Sequence, residues 1–156
     1  MAAIRLIAVG KPKEPFFRDA AEHYLARLAG FFSVELTEVK DAPGRLPPGE
    51  RARREGKAIL SRLERRDRLV GLDERGEAFS SRALAGRLAR WTEDANFRPC
   101  FVIGGAYGLS EEVRAAAYGL VSLGPLTLPH ELARVVLLEQ LYRAATIIRG
   151  LPYHHG

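Results

Sequence analysis

Cys100–Ile103 is a continuous apolar run that ends in Gly104-Gly105-Ala106-Tyr107-Gly108. In open α/β sheets ligands bind beyond the carboxyl ends of strands, and glycines there let a backbone approach a ligand with no Cβ between. The spacing is neither G-x-G-x-x-G nor G-x-x-x-x-G-K-[ST], so dinucleotide and triphosphate binding have no support. The segment is either a ligand cradle or a tight strand-to-helix turn that needs positive φ. Leu123–Pro129 is apolar and stiffened by two prolines, whereas surface loops are normally polar. It implies cover, by a ligand such as an adenine ring gripped through backbone amides and carbonyls, by packing, or by a dimer partner. Glu139 and Arg143 are spaced i,i+4, the pattern of a helix-stabilising pair; the alternative is Arg143 meeting a nucleotide phosphate or base. The tail Pro152-Tyr153-His154-His155-Gly156 either stacks on a base and moves a proton or is a frayed end. His154 and His155 are adjacent rather than i,i+4, and His23 and His130 lack ligand company, so no metal is expected. Cys100 opens a buried strand and reads as an inert thiol.

These residues need elements to position them. Ile4–Val9 reads as a strand, 16–29 as a helix, Val34–Val39 as a strand with one exposed face, and 43–49 as a Pro/Gly loop. Residues 50–65 read as an amphipathic helix with Ala52, Gly56, Ile59, Leu60 and Leu63 on its apolar stripe. Leu69–Leu72 is a short buried strand running into a tight turn, Asp73-Glu74-Arg75-Gly76. Ser80 or Ser81 caps a helix bearing Leu84, Leu88 and Trp91, and Ser110 caps another with Glu111 and Glu112 in its first turn. A strand near Leu120–Leu123 precedes the apolar loop and a last helix over about 131–149. Strands alternating with helices, several of them short continuous apolar runs, predict an α/β fold with a mostly parallel sheet flanked by helices. No repeat or domain boundary appears, so one domain is expected.

The chain has 156 residues, 24 Lys+Arg against 19 Asp+Glu, a net charge of +5 and 47% hydrophobic residues. That composition excludes disorder, and one cysteine excludes a disulfide framework. No apolar run approaches the roughly 20 residues of a membrane span, and Arg5 followed by lysines argues against a secretory leader. A cytoplasmic setting with no membrane partner is therefore expected. Residues 1–44 and 69–156 are each neutral, so the whole surplus lies in 45–68. On a helix over 50–65, Arg51, Arg54, Arg62 and Arg65 gather on one stripe away from the apolar one. A local basic ridge on a neutral body fits either a polyanion, nucleic acid first, or a solvated face.

Taken together and in order, five stretches resemble one family: Leu72-Asp73 with Gly76, Phe101–Gly108, Ser122–His130, Glu139–Ala144 and Tyr153-His154. The family is the ribosomal RNA large subunit methyltransferase H group of the SPOUT methyltransferases, and the resemblance runs from Ile4–Gly10 to the His-containing end. It implies S-adenosylmethionine-dependent methylation of N3 of a pseudouridine in 23S rRNA, a homodimer, and a C-terminal deep trefoil knot over roughly 70–156. It also implies methyl-donor contacts at Leu72, Gly104, Gly105 and the stretch Leu123, Gly124, Pro125, Leu126, Thr127 and Leu128. His130, Arg143, Tyr153 and His154 match positions near the family's active site. Gly124 stands where relatives often have Ser, and His155-Gly156 replaces a basic residue after Tyr-His.

On that resemblance catalysis is mostly positioning and deprotonation, since the donor is already activated. Arg143 is expected to stabilise the imide anion on the pseudouridine carbonyls and Tyr153 to stack on or orient the base. His154, His130 or water takes the proton. A chain with no room for an appended RNA-binding domain is expected to read the assembled ribosome by phosphate contacts and shape, with Arg51, Arg54, Arg62 and Arg65 contributing. Two rivals share parts of this pattern: a SPOUT enzyme acting on tRNA or another rRNA site, and a non-catalytic RNA-binding factor.

Overall fold

Strand β1 (Ala3–Val9) divides its side chains between two cores. Ile4, Leu6 and Ala8 enter one, and Ile7 and Val9 the other, as the two-residue period of a strand dictates. The computed structural model describes residues 1–155; Gly156, the last residue of the tail and of the expected knotted segment, lies outside the described residues. The order continues with α1 (Pro15–Leu28), β2 (Ser33–Val39), α2 (Pro48–Ser61), β3 (Asp67–Ala78), α3 (Ser81–Trp91), β4 (Arg98–Ile103), α4 (Glu111–Ala116), β5 (Gly119–Ser122) and α5 (His130–Ile148). A short 3-10 turn, Pro152–His154, follows. The strands form one sheet in the order β2-β1-β4-β3-β5, and every pairing is parallel. This is the expected α/β class. Among the described residues no helix is long and apolar enough to cross a membrane.

Helices α1, α3 and α5 cover one face through Leu28, Leu88, Leu137 and Leu141 against Leu6, Val70 and Phe101. Helices α2 and α4 cover the other through Ile59 and Val113 against Ile7, Leu69 and Val102. Each fully buried Leu, Ile or Phe contributes about 1.5–3 kcal/mol. Ser80 and Ser110 cap α3 and α4 by accepting the Ala83 and Val113 amides. The edge strand β2 keeps Ser33, Glu35 and Leu36 exposed, which accounts for its alternating sequence.

Two expectations are corrected. Helix α2 ends at Ser61, not 65, so Arg62 is its C-terminal cap and Arg65 lies beyond it. The cause is long-range: the Arg5 guanidinium takes the Arg62 carbonyl at 2.6 Å, and Asp67 accepts the Glu64 amide at 2.8 Å. The four arginines therefore do not form one helical ridge. Nor do Asp73–Gly76 make a turn that ends the strand. They bulge out within β3, with Leu72 and Glu77 both opposite Val121 of β5. Gly76 permits this because a Cβ there would lie 2.5 Å from the Leu120 carbonyl carbon.

At the amino ends of the strands Asp67, its side chain wholly enclosed, bridges Arg5 at 2.6 Å and Arg98 at 2.7 Å. Burial alone would raise the Asp67 carboxyl, but hydrogen bonds from Arg98, the Glu64 amide and Arg5 hold it below the ordinary carboxylate value. This knot of charge lies at the opposite end of the sheet from the cavity described next.

Candidate methyl-donor cavity and tail cluster

The carboxyl ends of β3 and β4 and the loop after β5 surround a cavity of about 830 Å³, within the usual range for small-molecule sites. One wall is Leu72, Asp73 and Glu74, a second is the Ile103–Leu109 turn, and a third is the 123–130 segment. Of the donor positions, Leu72, Gly104, Gly105, Leu123, Gly124, Leu126, Thr127 and Leu128 all line it. Pro125 does not. His130, the first residue of α5, also faces the cavity.

The glycine turn closes on itself through Gly108 N–H to the Gly105 carbonyl at 3.1 Å. A Cβ on Gly104 would meet the Gly108 carbonyl at 2.8 Å, and one on Gly105 would meet Glu55 Oε1 at 2.6 Å. In the third wall Gly124 has φ +119°, a conformation strained for any side chain. The Ser122 hydroxyl accepts its amide and donates to its carbonyl. Leu126 is 80% exposed, an apolar side chain on a stiff loop with nothing over it.

Several residues of this site escaped sequence reasoning. Asp73 accepts Arg114 Nε at 2.6 Å while Arg114 also reaches Glu111, so the bulge of β3 is fastened to α4. Glu55 is 3% exposed, accepts the Ala42 amide at 3.0 Å and lies under Gly105. Its signal was its place one residue before Gly56 on the apolar stripe. Arg134, 4% exposed, donates to the Gly10 carbonyl at 2.6 Å and to Glu38 at 2.7 Å. It stands i+4 from His130 and faces the carboxyl end of β1. Cys100 is buried, and burial pushes its thiol up to about 12, so it stays protonated at neutral pH.

Arg143, Tyr153 and His154 lie elsewhere. Arg143 is thirteen residues beyond His130 on α5, about 20 Å along the helix axis, and none of the three is among the residues lining the cavity. Arg143 and Tyr153 cluster instead around Glu139. Arg143 Nη2 donates to Glu139 Oε2 at 2.8 Å and Tyr153 Oη donates to the same oxygen at 2.9 Å. The Arg143 guanidinium lies 4.9 Å from the Tyr153 ring, and Tyr142 packs edge-on against that ring at 4.7 Å. Tyr153 is thus held rather than frayed. Burial, then the Glu139 hydrogen bond, pushes the Tyr153 phenol up to about 12. The Glu139 contacts, partly opposed by burial, raise Arg143 further. His154 Nδ1 is buried without a hydrogen-bond partner among the described residues.

Arg51 is half-buried and its guanidinium lies 5.1 Å from the Tyr107 ring, while Arg54, Arg62 and Arg65 are exposed. Among the described residues no group of three His, Cys, Asp or Glu is arranged to hold a metal ion.

A cavity walled by backbone-rich loops beyond the carboxyl ends of parallel strands defines an α/β protein that binds a small ligand. Residues 2–154 match the family model described as "Predicted SPOUT methyltransferase". The chain is 54% identical over 155 residues to the ribosomal RNA large subunit methyltransferase H of Maridesulfovibrio salexigens, covering 99% of each. It is 52% identical to the protein of that name from Oleidesulfovibrio alaskensis, covering 99% of this chain and 100% of the other. Among solved structures, the SpoU methyltransferase AviRb from Streptomyces viridochromogenes with AdoMet aligns over 91% of this chain and 57% of its own, at TM-score 0.46 and 16% identity. The chain belongs to the SPOUT methyltransferase family, in the group of the ribosomal RNA large subunit methyltransferase H proteins.

Proposed function

We propose that the protein transfers the methyl of S-adenosylmethionine to N3 of a pseudouridine in 23S rRNA, on the assembled ribosome in the cytoplasm. The observation that carries this reading is the cavity itself. Family membership specifies a methyltransferase, and the residues matched as donor contacts, Pro125 excepted, line one space of suitable size. The walls suit that donor. Leu72, Ile103, Leu123 and the uncovered Leu126 offer apolar cover for a flat purine, backbone amides and carbonyls offer its edge partners, and Glu74 offers an anion beside a cationic ligand. One domain is proposed, with the knot over roughly 70–156.

When bound, the donor supplies a methyl on a cationic sulfur, which becomes a neutral thioether as the methyl passes to N3 and the N3 proton leaves to a base. The protein's own part is to hold the two reactants in line and stabilise the imide anion. Arg143, braced by Glu139 and Tyr153, is a fixed cation for the carbonyl oxygens flanking N3. Tyr153 stays a phenol at neutral pH, so it orients rather than abstracts. His154 Nδ1, lacking a partner, and His130, at the cavity, are the proton acceptors at hand.

The separation of about 20 Å between these two groups within one chain supports a homodimer in which the tail cluster of one protomer faces the donor cavity of its partner. Mixing Arg143→Ala with Leu126→Glu then restores activity that neither variant has alone; no restoration contradicts the shared site. The function is tested with tritiated donor and three acceptors: ribosomes from cells lacking this protein, tRNA, and none. Label in rRNA supports the reading. Label in tRNA favours a different SPOUT substrate, and no label with any acceptor favours a non-catalytic RNA-binding factor.

A further inference from the structure

A second cavity of about 360 Å³ adjoins the first. The two share Tyr107, Leu109 and Arg114, and the far side of the smaller one is the first turn and a half of α2, with Gly49, Ala52 and Arg53. Tyr107 therefore stands on the partition. The residue is 51% exposed, and the Arg51 guanidinium lies 5.1 Å from its ring. Arg51 Nε is buried with no hydrogen-bond partner, so that side chain is held by stacking.

The charge on either side of this partition differs. The β3 wall of the larger cavity carries Glu74 and Asp73, the latter paired with Arg114. On the α2 side of the groove Arg53 is a lining residue, and Arg51 stands behind it against Tyr107. Of the two acids in the groove, Glu111 is neutralised by Arg114 at 2.8 Å and Arg75 at 3.3 Å. Glu112 disfavours a phosphate on the α4 side and leaves the α2 side for a backbone. A polyanion entering the larger cavity at one nucleotide must leave it along some rim, and the α2 rim offers it the Arg53 cation beside the Tyr107 ring. An exposed aromatic face beside guanidinium groups is how proteins hold unpaired nucleotides: the base stacks and the phosphate meets the cation.

We propose that this groove seats the RNA nucleotide adjacent to the methylated one, its base on Tyr107 and its phosphate on Arg53. The inference rests on the RNA-methyltransferase reading and adds a subsite to it. The test uses Tyr107→Leu, Tyr107→Phe and Arg53→Glu. The measurements are the KM for ribosomes from cells lacking this protein, with saturating donor, and the donor Kd by calorimetry. Tyr107→Leu and Arg53→Glu should each raise the ribosome KM about tenfold, while Tyr107→Phe stays near the unmodified protein, because stacking on an aromatic face is worth roughly that factor or more. Arg53→Glu should also flatten the salt dependence of ribosome binding, and the donor Kd should hold in this variant, since Arg53 lines only the smaller cavity. An unchanged ribosome KM in Tyr107→Leu and Arg53→Glu overturns the groove, as does a KM in Arg53→Glu that rises only together with the donor Kd. If the unmodified protein moves no methyl to ribosomes, the RNA-methyltransferase reading itself fails and the groove falls with it.

Discussion

The Arg134 guanidinium donates to the Gly10 carbonyl at 2.6 Å, joining helix α5 to the end of strand β1 across 124 residues of chain. With Glu38 as its second partner, Arg134 fixes the turn of α5 that carries His130 and Ala133 into the donor cavity. Replacing it by Met leaves the Gly10 carbonyl and Glu38 without their partner, at a cost of about 1–3 kcal/mol. We expect a lower melting temperature and a donor Kd raised roughly tenfold, the scale on which small misplacements act. Thermal denaturation and calorimetry on Arg134→Met and on Glu38→Gln check this; unchanged donor affinity in both contradicts it.

Arg143→Ala removes the cation proposed for the imide anion but touches no residue of the donor cavity. Turnover should fall severely while donor binding remains measurable by calorimetry. Glu139→Gln should weaken turnover less, because it loosens Arg143 without deleting it. Unchanged turnover in Arg143→Ala ends its catalytic assignment.

The phenol of Tyr153 is pushed up to about 12 by burial and Glu139. A raised folded value means the protonated form is the stabilised one, so its contribution is complete below the ordinary phenol value and is lost only as pH rises through about 12. Tyr153→Phe should therefore leave both limbs of the pH–rate profile in place. Its turnover should drop roughly tenfold from loss of a hydrogen bond to a charged group. A limb near neutral pH that disappears in Tyr153→Phe would show the phenol titrating in catalysis instead.

Asp67 follows the opposite sign. Its folded carboxyl lies below the ordinary value, so its stabilisation is present above that value and is lost as pH falls through the lower, folded one. Asp67→Asn should cost about 3 kcal/mol at neutral pH, since it takes from the buried Arg5 and Arg98 their enclosed anion and leaves them the half-exposed Glu35 and Glu64. It should also make acid unfolding less steep. Denaturant titrations at neutral and acid pH measure both effects; an equal loss at every pH contradicts the pairing.

Much of this architecture was legible because it is local. Val9 and Ile103 end short apolar runs that can only be buried strands, and Ala52, Gly56 and Ile59 fall on the stripe that packs against the sheet. That Leu123–Pro129 calls for cover was legible for a related reason, and Leu126 stands uncovered in this chain; which partner supplies that cover was not legible in the loop itself, where ligand, packing and a second copy fit equally. What local pattern misses is decided by distant partners. Helix α2 stops at Ser61 because Arg5 claims the Arg62 carbonyl. Asp73 is a cavity wall because Arg114, 41 residues on, holds it. The Glu139–Arg143 pair follows from its i,i+4 spacing, but its junction with Tyr153 exists only once the tail folds back along α5.

Donor and rRNA are proposed to meet on this protein for transfer to a pseudouridine N3. Ribosomes from cells lacking the protein, incubated with it and S-adenosylmethionine, can be digested and their large-subunit rRNA nucleosides mapped by mass spectrometry. The expected product is one N3-methylated pseudouridine that is absent without the protein and absent with Arg143→Ala. Methylation at another atom or another nucleotide, or none at all, would contradict it.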